Sequence, residues 1–154
     1  MSEILVLGGG AWGTALANLL AENTKKKIYL WSFEKEVANT INSKFINEKY
    51  LPSKKINKNI IASNYLPKLN TSVVFVAIPS QFIFSFFKKH KKHFYKYKIN
   101  LYNFIICSKG IDLKRKKLLS DILKKNFPKS NIAILSGPSF AIDVLNKKPT
   151  AVTL

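Results

Sequence analysis

The run Ile4-Leu5-Val6-Leu7 enters a glycine cluster, Gly8-Gly9-Gly10, and leaves it through Ala11-Trp12-Gly13-Thr14-Ala15-Leu16-Ala17. Four apolar residues, then glycines, then an alanine- and leucine-rich segment read as strand, tight turn and helix. Gly8, Gly10 and Gly13 fit the spacing G-x-G-x-x-G. In that pattern the first glycine allows the sharp turn off the strand. The second lets a pyrophosphate approach the backbone, and the third lets the helix pack closely on the strand. Free N–H groups and the positive end of the helix dipole then face the phosphates. The competing reading is a glycine turn that serves only helix–strand packing.

The 154-residue chain suits one domain with a sizeable core. Its single cysteine, Cys107, excludes a disulfide framework and a cysteine-rich metal site. Glu3 leads directly into the first strand, with no basic, apolar and cleavage regions of a secretory signal ahead of it. No apolar run approaches the length of a membrane span, so the expected location is the cytoplasm and no membrane insertion is expected. The net charge of +18 suggests nucleic acid or an anionic surface. However, the excess is almost all lysine, with Arg115 the only arginine, and it is spread along the chain. Lysine, asparagine, isoleucine, phenylalanine and tyrosine share A/T-rich codons, so a biased genome would give this composition to any fold. Nucleic acid is therefore not expected as the partner.

Strand and helix patterns alternate. Strands are expected at 3–8, Ile28–Trp31, Ile60–Ala62, Val73–Ile78, Leu101–Cys107 and Ile132–Leu135, with a further strand beginning at 149–154. Helices are expected at 11–23, 34–44, from Gln81 to Phe87, at 115–126 and from the Ser136–Ala141 segment to Leu145. In 115–126, Leu118, Leu119, Ile122 and Leu123 would face inward. Pro52 breaks the pattern after Asn47. Val73–Ile78 is continuously apolar, as in a strand buried on both faces of a parallel sheet. The fold class is thus α/β: a Rossmann-type doubly wound, mainly parallel sheet with helices on both faces. The basic run Lys88–Lys98 reads as a solvated helix end and loop rather than a nucleic-acid site. His90 and His93, three apart, have no carboxylate or cysteine nearby, so no metal is expected.

In such a sheet, ligands bind beyond the carboxyl ends of the strands. Polar punctuation lies there: the glycine loop, Ser32, Pro79-Ser80, Lys109-Gly110 and Ser136-Gly137-Pro138-Ser139. Lys109 directly follows a buried strand. Its ammonium is placed to neutralise a phosphate or polarise a carbonyl, unless it is one more surface lysine. Phe33 offers a face for stacking on adenine. Glu34 is either a ribose ligand or first-turn helix charge.

Five segments, GGGAWGTALA (8–17), NEKYLP (47–52), AIPS (77–80), SKGID (108–112) and SGPSFAIDVLNKKPTA (136–151), occur in the order and near the spacing seen in one family. The chain resembles the amino-terminal domain of the NAD(P)-dependent glycerol-3-phosphate dehydrogenases over essentially its whole length. The resemblance implies that Ala11 and Trp12, within the Gly8–Gly13 loop, contact the cofactor phosphates and that Tyr50 approaches the cofactor. It implies that Lys109 binds both cofactor and substrate as an auxiliary to catalysis, that Gly137 and Ser139 hold substrate, and that Ala141 borders the nicotinamide. Ser32 and Phe33 stand where family members often carry a basic residue or histidine, so the choice between NAD and NADP stays open. The implied reaction is reversible hydride transfer between NAD(P)H and dihydroxyacetone phosphate, giving sn-glycerol 3-phosphate for glycerophospholipid synthesis. The family's principal proton-transfer lysine lies beyond the SGPSFA block, in a helical substrate domain. Residues 1–154 are therefore expected to be a dinucleotide-binding domain, incomplete at its C-terminal end. Alone they should bind cofactor but turn over poorly, associate or dissolve badly, and form the family's homo-oligomer only with the helical domain. The alternative is an inactive stand-alone dinucleotide-binding module.

Overall fold

In a computed structural model, residues 3–68, 71–98 and 103–154 are described. The elements run β1 (Glu3–Leu7), α1 (Ala11–Thr24), β2 (Ile28–Trp31), α2 (Lys35–Lys44), β3 (Ile46–Asn47), β4 (Leu51–Lys55), β5 (Ile60–Ser63), β6 (Thr71–Val76), α3 (Ser80–Lys96), β7 (Asn103–Ile106), α4 (Leu119–Asn126), β8 (Asn131–Ile134) and α5 (Ala141–Leu145). Six strands form one parallel sheet in the order β5-β2-β1-β6-β7-β8. The chain winds outward from β1 through β2 to β5, then returns to place β6 on the other side of β1. That reversal opens a crevice beyond the carboxyl ends of β1 and β6, where a doubly wound sheet receives its ligand.

Alternation along β1 distributes the core to both faces. Leu5 and Leu7 join Val74, Val76, Phe104 and Ile106 under α3 and α4. Val6 joins Ile28, Leu30, Ile60 and Ala62 under α1 and α2. The first face is built largely from aromatic rings: Phe87, Phe94, Phe104 and Phe127 are fully buried. The Phe87 centroid lies 5.3 Å from Phe94, 5.8 Å from Phe104 and 5.5 Å from Phe127. The edge strand β5 is partly covered, because the Asn42 side chain donates to the Ala62 carbonyl and accepts from the Ala62 N–H, at 2.8 and 2.9 Å.

Several boundaries differ from the sequence reading. Helix α3 runs on through the basic stretch to Lys96, because Phe94 continues the buried stripe of Ile83, Phe86 and Phe87 at helical spacing. Helix α4 starts at Leu119 rather than residue 115. The carboxylate of Asp112 accepts the Arg115 N–H and guanidinium, both at 2.9 Å, and holds residues 112–117 in a turn. Leu118, before the first helical turn, is therefore 57% exposed instead of inward. Strand β6 stops at Val76 and β1 at Leu7, which leaves Ala77 and Gly8 to the turns. Residues 149–154 form no strand; only Thr153 pairs, antiparallel, with Ser136. The expected start of β7 at Leu101 lies outside the described residues. The β3–β4 hairpin is an addition, and Pro52 is accommodated because β4 has a partner on one side only. Among the described residues no helix is long and apolar enough to cross a membrane.

Truncating Phe87 to alanine removes the ring that touches Phe94, Phe104 and Phe127 together. The expected loss is about 3–5 kcal/mol of unfolding free energy. Urea denaturation monitored by circular dichroism should show a lowered midpoint at unchanged slope.

Candidate functional site

The turn after β1 has no spare room on its protein side. At Gly13 a Cβ would come within 1.8 Å of the Gly8 carbonyl oxygen, and at Gly8, with φ +121°, within 2.6 Å of the Ala77 carbonyl. The middle glycine is equally constrained, since a Cβ on Gly9 would lie 2.6 Å from the Ser32 side chain. Gly10 is the exception: apart from its own and its neighbouring residues, nothing lies within 4 Å of the position its Cβ would take. Gly10 is also the N-cap of α1, and no side chain caps that helix end. An open backbone beside an uncapped helix N-terminus fits the pyrophosphate of a dinucleotide. Ser32 is buried under Gly9, so it supports the loop instead of presenting its hydroxyl to a ligand.

Beyond the ends of β1, β6 and β7 lies an open cleft of about 400 Å³. It brings together Ala11 and Trp12 from the start of α1, Ser80 and Gln81 from the start of α3, Lys109 after β7, and Ser139 and Ala141 around the start of α5. Helices α1 and α3 thus turn their positive ends to the space that Lys109 also lines, which suits phosphate. Ser108 fixes where Lys109 emerges. Its hydroxyl donates to the Ile78 carbonyl and lies 3.1 Å from that of Val76, tying the end of β7 to the end of β6. Gly110 follows with φ +91°, a conformation open to glycine. Gly137 borders a small extension of the cleft together with Trp12, Lys109 and Ser139. It has no space for a side chain, since a Cβ would sit 2.2 Å from the Ala151 carbonyl. Cys107 lines the same wall, and burial pushes its thiol up to about 12, so it is a neutral surface at working pH.

Phe33 and Tyr50 stand apart from this cleft, on the side of β2. Phe33 is 83% exposed, free to offer a ring face. Tyr50 sits in the β3–β4 turn and donates its hydroxyl to Glu34 at 3.0 Å, while Lys49 pairs with the same carboxylate at 2.9 Å. The Lys49 hydrogen bond, against partial desolvation and aided by Tyr50, holds the Glu34 carboxyl below its ordinary pKa. Glu34 is therefore a paired anion at the end of β2. The two histidines serve packing. His90 lies 4.8 Å from the Phe86 ring, with burial and then Lys89 lowering its pKa, and His93 Nε2 is 3.0 Å from the Pro67 carbonyl.

Over residues 3–154 the chain matches the family described as NAD-dependent glycerol-3-phosphate dehydrogenase N-terminus. The chain belongs to that family. It is 41% identical to glycerol-3-phosphate dehydrogenase [NAD(P)+] of Neorickettsia sennetsu, over 97% of this chain and 44% of that protein. It is 39% identical to the enzyme of the same name from Erythrobacter litoralis, over 99% of this chain and 44% of the relative. The crystal structure of glycerol-3-phosphate dehydrogenase from Coxiella burnetii superposes with a TM-score of 0.84 at 27% identity, covering 98% of this chain and 45% of that one. This glycerol-3-phosphate dehydrogenase family chain thus spans less than half the length of these relatives. Within it, Ser80 joins the cleft as its place in the polar punctuation suggests, and Gln81 joins it without having been singled out in the sequence. Their place directly after β6, at the carboxyl edge of the sheet, is the signal that points to them. Asn47 opens the NEKYLP segment, but its link to the glycine loop carried no such signal, since the partners of its amide nitrogen lie 33 and 38 residues away.

The glycine geometry separates folding from binding. Gly13→Ala should abolish cooperative unfolding in circular dichroism, because the new carbon cannot clear the Gly8 oxygen. Gly10→Ala should keep the fold, with a melting temperature lowered by a few degrees at most through the weaker cap, and lose dinucleotide affinity in a fluorescence titration. The Asp112 turn predicts an acid limb. Burial pushes this carboxyl up, but the Arg115 main-chain and guanidinium hydrogen bonds outweigh it and leave the pKa below the ordinary value. Its stabilisation is full above the unfolded-state value of about 4 and is lost as pH falls through the folded value. Urea titrations at pH 7 and pH 3 should show Asp112→Asn destabilised at pH 7, with a smaller difference from the parent at pH 3.

Proposed function

We propose that this chain is the cofactor-binding half of an NAD(P)H-dependent glycerol-3-phosphate dehydrogenase, acting on dihydroxyacetone phosphate and, in reverse, on sn-glycerol 3-phosphate. The observation that carries this reading is the convergence of Trp12, Lys109, Ser139 and Ala141 on one cleft beside the open Gly10 backbone. In this reading the glycine turn and the start of α1 bind the pyrophosphate. Phe33 and the Glu34–Tyr50 pair border the adenosine end, and Ala141 borders the nicotinamide. The bound NAD or NADP supplies or accepts the hydride. Lys109 holds the substrate phosphate or carbonyl side by charge, and Ser139, with the Gly137 backbone beside it, completes the substrate contacts. The family's principal proton-transfer lysine lies beyond the SGPSFA block, in the family's helical domain. Residues 1–154 alone accordingly bind cofactor and turn over poorly. The proposed partners are small phosphorylated molecules, without nucleic acid and without membrane insertion. The proposed setting is the cytoplasm, where the product feeds glycerophospholipid synthesis, and the homo-oligomer forms only with the helical domain.

Titrating the 154-residue chain with NADH and with NADPH, following Trp12 and nicotinamide fluorescence, tests the reading. Saturable binding is expected, weakened about tenfold or more in Lys109→Ala, as befits the loss of a charge-assisted hydrogen bond. Absence of binding, or an unchanged affinity in the variant, would count against it. Substantial turnover by residues 1–154 would contradict the division of the active site.

A further inference from the structure

Asn47 is fully buried, yet it belongs to neither core cluster. Its amide nitrogen donates to the Gly9 carbonyl at 2.9 Å and to Thr14 Oγ1 at 2.8 Å. Its Oδ1 accepts the Tyr50 N–H at 3.2 Å. The orientation of the amide follows from these partners: a carbonyl can only accept and a main-chain N–H can only donate, so nitrogen faces Gly9 and oxygen faces Tyr50. One side chain thus joins the glycine turn, the first turn of α1 and the tip of the β3–β4 hairpin. A buried, satisfied amide of this kind holds its partners in one arrangement.

The peptide between Gly9 and Gly10 is the part that needs holding. In a trans peptide the C=O and the N–H point in opposite directions. With the Gly9 oxygen drawn inward to Asn47, the Gly10 N–H points away from the buried amide. Glycine stands on both sides of this peptide, so the local backbone barrier to turning it over is small. Nothing in the glycine sequence itself selects one orientation.

We infer that Asn47 is a positioning residue for the phosphate site: it locks the Gly9–Gly10 peptide with its N–H outward, toward the pyrophosphate of the dinucleotide. This inference rests on the dinucleotide reading given above. Asn47 touches no ligand itself. Replacing it by Asp sets a carboxylate against the Gly9 carbonyl and favours the reversed peptide, in which the Gly10 N–H turns inward and is lost to the phosphate.

The test compares ADP, which carries the pyrophosphate, with adenosine, which lacks it, each displacing NADH from the 154-residue chain. Asn47→Asp is expected to weaken ADP at least tenfold and adenosine less than twofold. In the parent, the Gly10 amide should be among the most strongly shifted ¹⁵N resonances when ADP is added, a measurement that does not depend on the variant folding. If the parent binds neither NADH nor ADP, the dinucleotide reading fails and this inference falls with it. If the parent binds but Asn47→Asp binds ADP equally well, or loses ADP and adenosine in equal measure, the positioning role alone is overturned. An unmoved Gly10 amide in ADP-bound parent overturns it too.

Discussion

At Gly13 a side-chain carbon would meet the Gly8 oxygen at 1.8 Å, so α1 can lie where it does only because no side chain is there. That close approach sets the angle at which the helix leaves the first strand. It also brings the carbonyl of Gly9 within reach of Thr14 and Asn47, and it leaves the helix N-terminus facing the crevice rather than the sheet. On the opposite side of the turn, Gly8 is confined by the Ala77 carbonyl, the first residue after β6. The two central strands and the first helix thus meet at glycines with no tolerance for a methyl group. The only slack in the cluster is at Gly10, on the ligand side.

From this junction the site is assembled by topology more than by local sequence. The return of the chain from β5 to β6 places the turn at residues 77–80 next to the glycine loop. The parallel neighbour β7 then delivers Ser108 and Lys109 to the same edge. Ser108 binding the Val76 and Ile78 carbonyls converts strand adjacency into a fixed exit for the lysine. The segment after β8 closes the cleft with Ser139 and Ala141. Residues more than 120 positions apart in the chain therefore line a single space. The uncapped starts of α1 and α3 give that space its positive character in addition to Lys109.

The large positive charge plays little part in this. Most lysines are solvent-facing, and the paired ones, such as Lys44 with Glu48 and Lys148 with Asp143, are exposed ion pairs of small energetic weight. The basic stretch that ends α3 shows how composition and structure diverge. Its lysines lie on the outside of a helix whose inner face is packed with phenylalanine, so the helix continues where the charge run suggested a loop.

The strand–turn–helix at residues 4–17, the six parallel strands and the candidate ligands at the strand ends were legible in the sequence. Each is encoded within a few residues: glycine spacing, apolar runs, and polar residues directly after them. Boundaries set by side-chain-to-backbone bonds were not. The Asp112 turn delays α4 to Leu119 although the leucine spacing extends further back, and the last residues have strand-like composition but only one bridge. The support under the glycine loop was equally hidden. Ser32 beneath Gly9, and Asn47 bonded to Gly9 and Thr14, act across 23 to 38 residues, and no local pattern announces a buried polar contact over that distance. Sequence alone determined that a dinucleotide turn exists and which residues stand at the sheet's carboxyl edge, because glycine freedom and hydrophobic period are local properties. Only the tertiary structure decided which of those residues share a cleft and which side chain holds the turn in shape, because both depend on strands that meet far from where they are written.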